Sequence, residues 1–172
     1  MGFIIGFIIV IVFVLAIGSY KKDLKRKAGE YNADVQATTE DLYVDTGFAA
    51  KDVFIAGLAH HCGRSDVGIF TGIVYNDKDN PVNRKAMAIW DNRSQKKIGY
   101  VPEAVLDGYR SYSKGKRCPC VGYIFLDGET LRGRIRSYSD DLDRDAVMKD
   151  IEEYAKQVCG HFGWTVPTFT AE

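Results

Sequence analysis

Three arginines, Arg132, Arg134 and Arg136, alternate with Leu131, Gly133 and Ile135. On an extended strand this alternation aims three guanidiniums from one face at intervals of about 7 Å. That spacing resembles the phosphates of an extended single strand, and arginine also stacks on bases, so the pattern suits nucleic acid. Tyr100, Tyr109, Tyr112 and Tyr123 are candidate stacking rings. The same alternation also keeps the outer face of any half-exposed strand wet, and the acidic segment that follows can pair with it. A second chemistry is metal binding. On extended backbone His60 with Cys62, and Cys118 with Cys120, each project to one side, and the two pairs together would make a tetrahedral zinc site. Neither pair has the usual C-x₂₋₄-C spacing of zinc ribbons, so zinc is the lesser expectation. Nucleophile elbow, zincin helix, paired-carboxylate motif and phosphate-cradling GxxxxGK[ST] loop are all absent, and His161 at a helix end reads as a cap or packing residue. No catalytic residue and no cofactor are expected.

These side chains must be positioned by short strands. Val53–Ala56, Val67–Tyr75, Ala86–Trp90 and Lys97–Val101 are rich in β-branched and aromatic residues. Val121–Leu126 and Thr130–Ile135 flank Asp127-Gly128, a hairpin turn pair. A helix is expected after Pro102, carrying Val105, Leu106 and Tyr109. A final helix from about Asp141 to His161 follows an acidic first turn, with Val147, Ile151, Tyr154 and Val158 on one buried face. Trp164-Thr165-Val166-Pro167 can return as a last short strand or an anchor. Six short strands and two helices favour a mainly β, α+β fold, a strongly curved sheet or partly open barrel; there is no internal repeat.

The chain begins with a different kind of segment. Residues 1–20 carry no charge and an almost unbroken apolar run from Phe3 to Leu15. At about 1.5 Å rise per residue, twenty helical residues reach about 30 Å, the hydrocarbon thickness of a bilayer. Lys21, Lys22, Lys25, Arg26 and Lys27 follow the span, and no basic n-region of a signal peptide precedes it, so a retained transmembrane anchor is expected with its N-terminus outside and the remainder cytoplasmic. In that compartment Cys62, Cys118, Cys120 and Cys159 are free thiols. Residues 21–47 read as a basic juxtamembrane segment and linker, 48–166 as the folded domain and 167–172 as a tail.

Across 172 residues, 23 Lys and Arg balance 23 Asp and Glu, which by itself argues for no partner, and 46% hydrophobic with 27% charged residues excludes disorder throughout. The neutral total conceals a split. Residues 84–136 hold twelve Lys and Arg against five Asp and Glu, a net +7, whereas 137–172 hold three against eight, a net −5.

Asn80-Pro81-Val82-Asn83-Arg84-Lys85-Ala86-Met87-Ala88-Ile89, followed by Lys97-Ile98-Gly99-Tyr100-Val101-Pro102, resembles the core signature of the HIRAN domain family. Val53–Leu58 is similar to that family's opening strand and His161–Val166 to its closing segment, so the resemblance spans about 48–166. Read physically, Pro81 fixes a turn, Asn80 and Asn83 can bond local backbone, Gly99 allows a bend, and Pro102 suits the first turn of a helix. The resemblance implies an oligonucleotide-binding-like (OB-like) β-barrel, and in the family's DNA-capturing form a pocket for the 3′-hydroxyl end of single-stranded DNA. The positions it assigns to that pocket are Ala59, His60, His61, Val82 and Asn83 here, with Tyr100 keeping an aromatic position. The family's upstream Arg-Glu pair reads Asn76-Asp77. Val82 has no π-face, so general single-strand affinity is expected ahead of end capture. Stand-alone anchored members suggest a bacterial inner membrane.

The combined expectation is a membrane-anchored, non-catalytic nucleic-acid-binding module, with His60, His61, Asn80, Val82, Asn83, Lys85, Tyr100, Arg132, Arg134 and Arg136 as DNA-binding residues. The alternative is a membrane-tethered protein-interaction or scaffold domain. Its protein partner is not legible.

Overall fold

The longest strands coincide with the β-branched and aromatic runs, and they assemble into one antiparallel sheet. The computed structural model describes Val44 and residues 46–169. The expected anchor at 1–20, most of the linker and the end of the tail lie outside the described residues. Among the described residues no helix is long and apolar enough to cross a membrane.

The elements run β1 (Lys51–Phe54), α1 (Leu58–His61), β2 (Gly68–Asn76), β3 (Met87–Asp91), β4 (Lys96–Tyr100), α2 (Leu106–Ser113), β5 (Cys118–Asp127), β6 (Thr130–Ser137) and α3 (Arg144–Phe162). The six strands are ordered β1-β6-β5-β2-β3-β4. The sheet curls until its edges touch. Just past β1, Ala56 and Tyr100 of β4 exchange N–H···O bonds of 2.8 and 2.9 Å, while Ile55 still donates to Gly133 of β6. Gly99 makes the seam feasible, because a Cβ there would lie 2.5 Å from the Ala56 carbonyl oxygen. The result is the expected mainly β, α+β fold with a strongly curved sheet.

Strand alternation sorts side chains to two faces. The inner face holds Val53, Phe70, Val74, Met87, Ile89, Ile98, Cys120, Ile124 and Ile135, capped by Leu58 of α1 and by Leu106 and Tyr109 of α2. On the outer face Ile69, Val121, Tyr123 and Tyr138 pack against Val147, Ile151, Tyr154 and Val158 of α3, the stripe expected from their spacing. Asp143 caps α3 by accepting from the Ala146 N–H at 2.9 Å, so the helix starts slightly later than Asp141.

Three expectations need correction. Asp127 pairs with Thr130, which moves the hairpin loop to Gly128-Glu129. Only Gly128 has positive φ there, as a II′ turn requires of its first position. Of the two expectations for Trp164–Pro167 the strand fails and the anchor holds: Trp164 packs against the outer cluster and stacks on Phe162 with ring centroids 4.4 Å apart. Val105 is exposed, because a short 3₁₀ turn at Glu103–Val105 precedes α2 and rotates it away from the core.

Candidate nucleic-acid interface

The arginines of β6 do project from one face, but each is engaged there, Arg136 between α3 and β1, Arg134 on Phe54 of β1 and Arg132 by Asp127. Arg136 is 2% exposed. Its Nε and Nη2 donate to Asp52 of β1 at 3.1 and 3.0 Å, Nη2 reaches the Val44 carbonyl at 2.6 Å, and Nη1 reaches Thr46 Oγ1. Asp150 of α3 lies 3.5 Å from Nη1 and accepts a bond from Tyr138 at 2.7 Å. The guanidinium also sits 5.0 Å from the Tyr154 ring centre. Arg134 lies over Phe54 at 4.5 Å, and Arg132 bonds Asp127 at 2.7 Å. An open cationic ridge is therefore corrected to a largely sealed set of arginines, since a buried charge is retained only with partners close by. Pairing with the acidic helix holds for Arg136. Two stacking candidates fail for the same reason: Tyr109 and Tyr123 are fully buried. Tyr112 is half-buried, with its hydroxyl donating to the Ser137 carbonyl.

The remaining candidates converge at the opposite end of the sheet. His61, at the end of α1, meets the Tyr100 ring edge-on with centroids 6.0 Å apart, and His60 beside it is exposed. The Tyr100 hydroxyl donates to Asp77 at 3.0 Å and accepts from Lys97 Nζ at 2.6 Å, and Lys97 also bonds Asp77 at 3.1 Å. Asp77 opens the β2–β3 loop, which is closed by its N–H bonding the Ala86 carbonyl. Asn80 Oδ1 accepts from both Val82 and Asn83 N–H groups, and Asn83 Oδ1 accepts from Lys85 N–H, all at 2.9 Å. The two asparagine oxygens thus shape the loop, and no bond from their amide N–H groups is found among the described residues. Val82 is 57% exposed and offers no ring. An open depression of about 570 Å³ is lined by Lys78, Asp79, Asn80, Pro81 and Arg84.

The electrostatics of this rim are positive. Burial, then the charges of Lys97, His60 and Lys96, holds the His61 imidazole below its ordinary pKa. Burial would raise the Asp77 carboxyl, but hydrogen bonds from Lys97 and Tyr100 outweigh it and hold the group low. Bonds to Tyr100 and Asp77 in turn hold Lys97 high. Lys78, Arg84 and the Lys85 ammonium are exposed and make no ion pair among the described residues. Sequence reasoning assigned no binding role to Asp77, Lys78, Arg84 or Lys97.

Lys97 was illegible for a geometric reason. In a regular strand residues 97 and 100 point to opposite faces. Here Trp90 pairs with Lys97 and Ile89 with Gly99, so Ile98 is an extra, bulged residue that brings Lys97 and Tyr100 to the same outer face.

The zinc alternative is also corrected. Among the described residues no group of three His, Cys, Asp or Glu could hold a metal. Cys62 caps α1 and its Sγ faces the Ile98 carbonyl at 3.7 Å, while Cys118 and Cys120 lie buried on β5. Burial foremost raises the Cys62 thiol to about 11, and burial raises the other two as well, so these thiols hold their protons.

Comparison with protein-family models and with curated proteins finds no match. Among solved structures the chain is similar to the crystal structure of the HIRAN domain of human HLTF, at 12% identity over 69% of this chain and 93% of that one, with a TM-score of 0.34.

Proposed function

We propose that this chain is a non-catalytic nucleic-acid-binding module that engages single strands or DNA ends at the rim formed by α1, the β2–β3 loop and the end of β4. The observation that carries the reading is the convergence there of His60, His61, Asn80, Asn83, Lys85 and Tyr100 with Lys78 and Arg84, cations without an ion pair among the described residues. Phosphates attract such a cluster through charge and counterion release, and amide donors add positioning bonds. Residues 1–20 tether the module to a membrane with the domain on the cytoplasmic side, as the positive-inside rule orients it. The stretches that resemble the HIRAN core signature include the rim residues Asn80, Asn83, Arg84, Lys85 and Tyr100.

Fluorescence anisotropy of the full chain in neutral detergent, with labelled single strands at graded salt, tests the reading. Changing Lys78, Arg84 and Lys85 together to Gln should lower the log–log salt slope by roughly 2, given about 0.7 per phosphate contact on single strands. Arg132→Gln should leave it unchanged. Strands ending in 3′-hydroxyl and 3′-phosphate separate end capture from general affinity. Absence of binding at low salt would leave the tethered protein-interaction alternative in its place. Topology needs a new probe position, because all four native cysteines are buried or half-buried. Cysteine at exposed Ser111 should resist an impermeant reagent in intact cells.

A further inference from the structure

The outer face of the sheet is divided between two fates. α3 packs over β5 and the start of β2 and reaches Arg136 of β6. Among the described residues the cover stops beyond Ile69. Ile73, Tyr75 and Trp90 belong to neither buried cluster, are absent from the side chains packed against them, and are each half-buried. Pairing register places them in two rows. Tyr75, Ala88 and Tyr100 form one across β2, β3 and β4, and Pro119, Ile73, Trp90 and Lys97 form the next across β5, β2, β3 and β4. With strands about 4.8 Å apart and rows about 7 Å apart, Trp90 sits about 8 Å diagonally from both tyrosines.

The charge around this face selects its occupant. Lys97 Nζ lies 4.9 Å from the Tyr100 ring centre. Arg117 is exposed, makes no ion pair among the described residues, and is near enough to act electrostatically on Tyr75, as Lys97 does. The acidic group among these neighbours, Asp77, is already bonded to Lys97 and Tyr100. Flat rings flanked by cations suit a ligand with π-faces on an anionic backbone, which is single-stranded nucleic acid rather than an apolar helix or a duplex.

We propose that a single strand entering at the rim continues over this half of the sheet, with a base stacked on Trp90 and its neighbours on Tyr75 and Tyr100. This deepens the function proposed above and rests on it. Tyr100 and Lys97 belong to both surfaces, so the path is continuous.

The chain has two tryptophans, Trp90 and Trp164. Trp164→Phe keeps a ring on Phe162 and makes Trp90 the sole tryptophan reporter. The full chain in neutral detergent is titrated with an oligothymidylate and with an abasic deoxyribose-phosphate strand of equal length. The thymidylate should quench Trp90 and the abasic strand should not. Trp90→Ala should weaken thymidylate binding roughly tenfold, within the 5- to 150-fold that about 1 to 3 kcal/mol of stacking per base implies, with the salt slope unchanged. Trp90→Phe should retain most of the affinity, and its thermal melt separates lost stacking from lost folding. Strands that bind with unquenched Trp90, or equally well to Trp90→Ala, would overturn the platform while leaving the rim reading intact. Equal affinity for the abasic strand, or a preference for duplex, would also overturn it. No binding by either strand would overturn both.

Discussion

Replacing Arg136 by Met distinguishes a structural clasp from a ligand-binding arginine. Its side chain is 3% exposed and faces Asp150, also 3% exposed, and Asp52, 19% exposed. Methionine keeps much of the stem volume but removes bonds to Asp52, Thr46 and Val44 together with the ion pair to Asp150. Breaking a buried pair from one side leaves an uncompensated carboxylate and costs roughly 3 to 5 kcal/mol. For about 125 ordered residues the unfolding entropy is about 0.26 kcal/mol/K, so each kcal/mol is worth about 4 °C and Tm should fall by roughly 12 to 19 °C. Calorimetry or a circular-dichroism melt reads this directly. Adding Asp150→Asn should recover part of the loss, because it removes the stranded charge; the double-mutant cycle then reports their coupling. A fall below about 4 °C, accompanied by lost affinity for single strands, would refute the reasoning and restore Arg136 as an exposed phosphate contact.

Gly99→Ala would place a Cβ 2.5 Å from the Ala56 carbonyl oxygen and 2.6 Å from Ile55 Cγ2. It should force the seam apart and cost roughly 1 to 3 kcal/mol, checked by denaturant midpoint, with faster exchange of the Ala56 and Tyr100 amides. Asp77→Asn releases Lys97 from its ion pair and removes one of the rim's negative charges. Single-strand affinity should rise and the salt slope steepen by about 0.7, at a stability cost of about 1 kcal/mol. For His61 the native pKa is depressed, so the unfolded chain takes up a proton first as pH falls. Stability should therefore decline from the unfolded pKa of about 6.5 down to the lower native value, then level off. A bound polyanion offsets the field of Lys97, His60 and Lys96, so binding should take up a proton and tighten as pH falls below the ordinary imidazole pKa of about 6.5. His61→Gln should flatten that profile in an anisotropy titration.

The local elements were legible because their information is local. Alternating β-branched runs, the Asp127–Thr130 hairpin and the 4-3-4 stripe of α3 each follow from backbone periodicity, and the strands and final helix fall within a few residues of those positions. The loop-shaping role of Asn80 and Asn83 was legible too, since short amides bond backbone two or three residues on. The bulge at Ile98 was not, because one extra residue leaves no periodic mark yet reverses which neighbours share a face.

Residue order along each strand dictates which side chains alternate, and with it that Arg132, Arg134 and Arg136 share a strand face. Whether that face is open is not a property of the strand. It was decided by where α3 lands: the helix needs an apolar bed for Val147, Ile151, Tyr154 and Val158, and Ile69, Val121, Tyr123 and Tyr138 supply it on the arginine half. Burying the helix's apolar stripe there encloses Arg136 with Asp150 and leaves the Trp90 half uncovered by the described residues. Apolar burial over long sequence separations chose which cations meet water, and no spacing along the chain encodes that choice.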